Sequence, residues 1–421
     1  MRILLLTHQY LPEVGPPQLR WAALVRDFRA QGHEVHVLCP PPHYPSGVGL
    51  PGDPFPVGST TVGLHGEVVH RVAWRRCDTG LVSELIDQCV ASADSVLTAW
   101  RHRRTIRPDV VIATAPPLPS IGAGWLTALL LRRPFVLDLR DAWPDLAADA
   151  RNRGSTWKQL VRWYGVGAAA RVIHHLQRRT DLIVTTADSF TDVLRRRGVP
   201  RVGTVRNAFH GIEGLERLPA RTRPGRSLRI LYAGTVGRAH GLETAVRAVD
   251  LLRRQGVDVV LRVVGRGARL DGLSALAESL DAPVEIHGPV PRTEIQDHYA
   301  WADTLLVSLR EWRGLQWCVP SKLYEGLALG LHISGSVAGE AGDIIRSTDA
   351  GFVAPPGDVQ ALAEQWLALV EDGPEHDPAR MREWVDAHAS EEVASAAYLD
   401  LLEELVEEMT DARVGSQVDA R

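Results

Sequence analysis

One pattern, run through twice, constrains this chain more than any other feature: short apolar runs bounded by turn residues, each followed by an amphipathic helical stretch. Alternation of that kind builds βαβ units, and βαβ units build parallel sheets. In the first half the predicted strands are residues 3–7, 34–38, 110–114, 135–138, 182–185 and 202–205. A helix over about 19–31 follows the first of them, closes at Gly32 and re-enters the sheet through His33-Glu34-Val35. Residues 221–227 change to Arg, Pro and Gly with no apolar period, which marks a linker. A second series follows at 229–234, 259–265, 284–288, 304–308, 333–334 and 351–353. The expected fold class is therefore α/β, with domains at 1–220 and 221–376, each about the size of an ordinary single core. An acidic helical tail over about 377–410 can cross back onto the first domain. Two Rossmann-like domains facing each other across a cleft bind ligands at the carboxyl ends of their parallel strands.

Composition narrows the classes. A formal net charge of −4 gives no global attraction to nucleic acid, and no recognition motif for it is present. Cys39, Cys77, Cys89 and Cys318 lack the pair spacing of a metal or redox site, so they read as plain thiols of a reducing, cytoplasmic compartment. The apolar run at the N-terminus is far shorter than a signal peptide needs and reads as a first strand. The longest apolar stretch, 121–131, falls well short of the roughly twenty residues of a membrane span. A nicotinamide dehydrogenase would need Gly-x-Gly-x-x-Gly after the first strand, where this chain has Val14-Gly15-Pro16-Pro17-Gln18.

Lysine is nearly absent, at two against 45 arginines, and one of the two is Lys322 in Pro320-Ser321-Lys322-Leu323-Tyr324-Glu325. A compact ammonium retained against such a skew suggests work that a planar guanidinium does less well. The segment reads as a helix start with Ser321 as cap and Gly330 as the left-handed close. Free N–H groups and the positive dipole end beside a lysine suit a diphosphate, and Glu325, one turn on, suits a ribose diol. The plain alternative is a solvated Lys–Glu pair on an ordinary helix. Gly234-Thr235-Val236-Gly237-Arg238, Gly265-Arg266-Gly267 and Gly288-Pro289-Val290 end three successive strands, so close backbone approach to a phosphate is expected along one sheet edge.

Tyr232-Ala233-Gly234, Val264-Gly265-Arg266-Gly267, His287-Gly288-Pro289-Val290 and Pro320-Ser321-Lys322-Leu323-Tyr324-Glu325, in that order, resemble the donor domain of family 4 retaining glycosyltransferases of the GT-B fold. In the first half Gly32-His33-Glu34-Val35, Asp141-Ala142-Trp143-Pro144 and Val205-Arg206-Asn207-Ala208 resemble the same family. Tyr44-Pro45-Ser46-Gly47 is similar to a subgroup that assembles polysaccharide or lipid-linked oligosaccharide. The resemblance implies a nucleoside-diphosphate sugar, with a UDP-sugar as the expected donor, no cofactor and no metal. It implies that Glu325 holds the ribose, that backbone at Val290 meets the base, and that Arg238 and Lys322 stabilise the leaving diphosphate. It also places Gly15 against the donor phosphate and Gly234 and Gly265 beside it.

Three departures from the family pattern stand out. The first glutamate of its E-x7-E motif is replaced by Trp317, its Lys-Gly after Gly237 by His240-Gly241, and a common glycine by Pro16. They leave the identity of the donor sugar undetermined. Asp141 is the polar candidate of the first domain, either holding a sugar or acceptor hydroxyl or tied to Arg140 or a backbone N–H, and His43 either touches the acceptor or is a loop histidine with no such role. From 151 to 179 seven Lys or Arg residues and no acid are interleaved with Trp157, Trp163 and Tyr164, a composition suited either to an anionic membrane or to a solvated helix of the domain. The acceptor implied is a saccharide, a lipid-linked saccharide or a small secondary metabolite. A nucleotide-sugar epimerase of GT-B shape is the rival reading.

Overall fold

Leu4, Leu5 and Leu6 are buried on both faces of their strand, and that two-sided burial puts β1 (Arg2–Leu6) in the middle of a sheet. In the computed structural model β1 pairs in parallel with β2 (Glu34–Cys39) on one side and β5 (Val110–Ala115) on the other. The described residues are 1–13, 15–43, 47–49, 55–77, 81–142, 145–146, 167, 170–211, 227–291 and 293–418. Tyr44-Pro45-Ser46, Trp143-Pro144, the linker over 221–226 and most of the basic stretch 151–179 fall outside them.

The first sheet runs β3-β4-β2-β1-β5-β6-β7-β8. Its outer strands are β6 (Phe135–Leu139), β7 (Leu182–Thr185) and β8 (Val202–Thr204) on one side. On the other lie β4 (Val68–Arg71) and β3 (Thr60–Val62), the latter the sheet's one antiparallel member. The sequence pattern missed β3 and β4. They are three and four residues long, and β3 has no apolar alternation to mark it. The hairpin between them closes through Gly63 N–H to the Glu67 carbonyl at 2.8 Å. Glu67 itself is buried, with Tyr10 donating to it at 3.0 Å.

The first unit comprises Met1–Asn207 and Glu391–Arg421. The last helix, Glu391–Val418, packs on the Pro16–Ala30 helix, where Tyr398 meets Trp21 and Phe28 edge-on. Ser395 donates to Asp27 at 2.7 Å, and a Cβ on Gly203 of β8 would lie 2.6 Å from Leu401. The preceding helix, Pro378–His388, belongs to the second unit, Ala208–Ser390.

The second sheet is wholly parallel, in the order β11-β10-β9-β12-β13-β14. Here β9 is Leu228–Ala233, β10 Val259–Val264, β11 Val284–His287, β12 Thr304–Ser308, β13 Ile333–Ser336 and β14 Gly351–Ala354. All six coincide with the predicted runs to within one or two residues. Ile230, Tyr232, Val246, Leu306 and Trp366 centre its core. Counted from β9, the order is 3-2-1-4-5-6, so the chain reverses direction across the sheet between β9 and β12, where an α/β sheet opens a crevice.

Candidate functional site

At that reversal the β9 and β10 ends meet through glycine. Gly234 has φ +132° and Gly265 φ +143°, and a Cβ on Gly265 would lie 2.0 Å from the Gly234 carbonyl oxygen. No side chain fits between these strand ends, so bare backbone is what they present. Gly267 repeats the arrangement one step on, with its would-be Cβ 2.2 Å from the Val236 carbonyl.

Lys322 enters from the Ser321–Leu329 helix that follows β12. Pro320, not Ser321, occupies the cap position and no side chain caps this end. The expected Ser321 cap is thus corrected: Ser321 is the first helical residue, and the extended Pro320 sets the entry. Gly330 closes the helix in the left-handed conformation at φ +65°. The Lys322 ammonium is buried, with 7% of the residue exposed, so it is not half of a solvated pair. Its Nζ lies 3.5 Å from the centroid of the Tyr232 ring and 3.3 Å from where a Gly234 Cβ would stand. It makes no hydrogen bond among the described residues. Burial pushes its pKa down to about 7, and Glu325 opposes that shift. A buried cation held by a ring face and the charge of Glu325, with no hydrogen bond among the described residues, has room for an anion as its hydrogen-bond partner.

His240 cannot supply a second cation. Burial first, and the Lys322 charge second, push its pKa down to about 3, and its Nδ1 accepts from Gly237 N–H at 3.3 Å. Arg238, at the tip of the same turn, is exposed and forms no ion pair among the described residues. Arg310 escaped the sequence reading and builds this turn. It donates through its backbone N–H to Ala239 O at 2.7 Å, through Nε to Arg238 O at 2.6 Å and through Nη2 to Glu243 at 2.8 Å. One clue existed, its place just after a strand end, but nothing local separated it from 44 other arginines.

Glu325 is half-buried, and the Tyr299 hydroxyl donates to its Oε2. That bond fixes the carboxylate and leaves Oε1 for a ligand. Val290 packs on the small core containing Leu231, Ala233, Val264 and Tyr299. Gly234, Gly265, Val290, Lys322 and Glu325 therefore share one end of one sheet. Trp317 lies in the short 3-10 turn Arg313–Trp317, with the Arg313 guanidinium 5.6 Å from its ring centre.

Gly15 and Asp141 belong to the first unit. Gly15 caps the Pro16–Ala30 helix with extended backbone, φ −177°, and its carbonyl takes the Leu19 N–H at 3.0 Å. Pro16 and Pro17 have no N–H to offer, so this helix start is a poor anion site. Asp141, just past β6, is half-buried and has no ion pair or hydrogen bond among the described residues. Burial raises its pKa while Arg140 opposes the rise. Arg140 instead donates to Pro116 O at 2.7 Å. His43 is buried and tied through both ring nitrogens, to Pro41 O and to Asp87.

Residues 17–208 match the glycosyl transferase 4-like domain, and residues 227–372 match glycosyl transferases group 1. The chain belongs to this glycosyltransferase family. It is 26% identical over 258 residues to an Escherichia coli protein named as a colanic acid biosynthesis glycosyltransferase, covering 58% of this chain and 63% of that one. To the amylovoran biosynthesis glycosyltransferase of Erwinia amylovora it is 30% identical over 185 residues, 42% of this chain and 45% of the relative. Less than two thirds of either relative's length is thus matched. In fold it is similar to sucrose-phosphate synthase from Thermosynechococcus elongatus, with a TM-score of 0.71 at 15% identity over 97% and 100% of the two chains. It is also similar to the Anabaena protein HepE in complex with UDP and glucose, with a TM-score of 0.66 at 16% identity over 96% and 99%. The two α/β sheets, parallel apart from β3, are those of the GT-B glycosyltransferases.

Proposed function

We propose that this protein is a retaining glycosyltransferase that moves a sugar from a nucleoside-diphosphate sugar, a UDP-sugar by preference, to a saccharide or lipid-linked acceptor in polysaccharide assembly. The observation that carries the reading is the buried Lys322 ammonium at the β9/β12 reversal, which has no hydrogen bond among the described residues. Breaking a sugar–diphosphate bond builds negative charge on the departing phosphate, and a cation held ready in a dry site stabilises that charge without reorganising. Lys322 fills that role from within and Arg238 from the rim, with bare backbone at Gly234 and Gly265 for the phosphates, Glu325 for the ribose and backbone at Val290 for the base. Asp141, in the first unit, is assigned to a sugar or acceptor hydroxyl. No cofactor or metal is needed for this charge stabilisation. The relatives named for colanic acid and amylovoran, and the neighbour holding UDP, favour this donor and acceptor class.

A thermal-shift screen of nucleotides tests it, since a ligand that binds only the native state raises the melting temperature. UDP is expected to raise it, and Glu325→Gln to weaken UDP binding by about tenfold, the cost of one charge-assisted hydrogen bond. If no nucleoside diphosphate shifts the transition, the assignment fails. Labelled UDP-sugar converted to an isomer with no acceptor present would favour the epimerase, and transfer to small aglycones alone would favour a tailoring enzyme.

Besides the stretch 151–179, membrane contact has a second candidate seat in the first unit. No helix among the described residues is long and apolar enough to cross a membrane. The paired helices Leu81–Arg101 and Pro119–Leu131, however, expose Val82, Leu85, Leu97, Trp100, Leu129 and Leu130. Arg101 ends the first helix, Arg103, Arg104 and Arg107 follow it, and Arg132 and Arg133 follow the second. Apolar side chains beside arginines suit an anionic lipid surface. Sedimentation with anionic vesicles is expected, weakened by salt and by R101E/R104E together, and absence of sedimentation overturns this contact.

A further inference from the structure

Three side chains converge in the first unit on a point that the proposed sugar transfer does not use. His8 lies just beyond β1, His43 just beyond β2, and Asp87 inside the Leu81–Arg101 helix. Asp87 Oδ2 is 3.0 Å from His8 Nε2 and 3.2 Å from His43 Nε2, and all three atoms lie within 4.8 Å of one another. His43 and Asp87 are buried, and only His8 reaches partway to the surface. This is the one such convergence of three metal-binding groups among the described residues.

Hydrogen-bond bookkeeping shows what the point requires. His43 Nδ1 faces the Pro41 carbonyl at 2.8 Å, and a carbonyl only accepts, so Nδ1 carries the proton. In neutral His43 the Nε2 lone pair then aims at a carboxylate oxygen, which repels it. A positive species has to stand between them, either a second proton on His43 or a metal ion that takes both lone pairs and the carboxylate together. The surroundings are those that hold metal ligands in place. Pro41 O fixes the His43 tautomer, and Arg75 N–H donates to the far oxygen of Asp87 at 2.7 Å. Glu13 accepts the His43 backbone N–H at 2.7 Å, and Trp74 stacks on its ring with centroids 4.9 Å apart. Donor atoms around a tetrahedral zinc, with bonds of roughly 2.0–2.2 Å, stand about 3.3 Å from one another. The two separations from Asp87 Oδ2 are close to that, and the third, between the two histidine Nε2 atoms, lies within 4.8 Å.

We infer that His8, His43 and Asp87 form a binding site for a divalent transition-metal ion, Zn²⁺ being the ion their N₂O donor set suits, with a fourth position toward solvent on the His8 side. The ion ties the segments after β1 and β2 to the Leu81–Arg101 helix, next to the β1/β5 reversal of the first sheet.

The test uses the untagged full chain stripped with EDTA. Co²⁺ is expected to bind one per chain and develop the intense visible bands of a tetrahedral site, and Zn²⁺ to displace it and raise the melting temperature. His8→Ala and Asp87→Asn are each expected to lose the bands and to bind Zn²⁺ at least about tenfold more weakly. His8 is the most accessible of the three, and Asn keeps an oxygen for Arg75 N–H, so both variants should fold, and their melting temperatures without metal check it. Absence of Co²⁺ bands in the wild-type chain overturns the inference and leaves a protonated His43–Asp87 pair. Equal binding by wild type and His8→Ala overturns it as adventitious.

Discussion

Replacing Lys322 with methionine is expected to lower turnover with the nucleotide-sugar donor by about 10²–10³-fold, the range for removing one preorganised charge-stabilising group. The same change should leave stability unchanged or raise it. Methionine keeps the length of the stem over Tyr232 and removes an ammonium with no hydrogen bond among the described residues. A residue held for packing would behave the other way, losing stability first. The pH dependence gives a second signature. Burial lowers the Lys322 pKa from its ordinary 10.5 to about 7, so between those values the unfolded chain binds more protons than the folded one. Stability attributable to this group therefore rises with pH from about 7 to about 10.5, by on the order of a few kcal/mol, and is absent below 7. Lys322→Met removes that rise. Binding of a diphosphate runs opposite: it needs the protonated amine, so above pH 7 it takes up a proton. Calorimetry of UDP binding at pH 8 in buffers of different ionisation enthalpy should show that uptake in the wild type and none in Lys322→Met. Equal uptake in both, or unchanged turnover, would remove Lys322 from the phosphate.

What the sequence made legible here follows from what is local. Strands such as β1, β9 and β12 are buried on both faces, so their apolar runs are continuous and visible. The glycines at β9 and β10 were visible as punctuation, and Lys322 as a compositional exception. Partnerships across the chain were not. Nothing near Tyr299 says that it will fix Glu325, nor does anything near Arg310 say that it will carry the 237–241 turn. The short edge hairpin β3–β4 has too few residues for a period to show. The His8, His43 and Asp87 convergence spans 78 intervening positions and depends on which loops the sheet order makes neighbours. Ser321 shows a different limit: a good capping residue was one position too late, because the extended Pro320 already starts the helix.

Gly265→Ala is expected to destabilise the second unit by about 3 kcal/mol or more, read as a lower denaturant midpoint. Two costs combine. At φ +143° an L-residue stands in a region that essentially only glycine occupies, worth roughly 1–3 kcal/mol. The new methyl would also lie 2.0 Å from the Gly234 carbonyl oxygen, and backbone at a strand end cannot yield as a side-chain tip does. Relief requires the β9 and β10 ends to part, breaking the Gly234 N–H bond to Val264 O, now 2.9 Å. That parting moves Gly234, against which the Lys322 ammonium rests, so any folded fraction should also bind UDP more weakly. Gly288→Ala is the matched control: a Cβ there meets nothing within 4 Å, and its backbone is not among the left-handed glycines. It should cost little stability. If both substitutions cost the same, the close meeting of the β9 and β10 ends is not what requires glycine at 265.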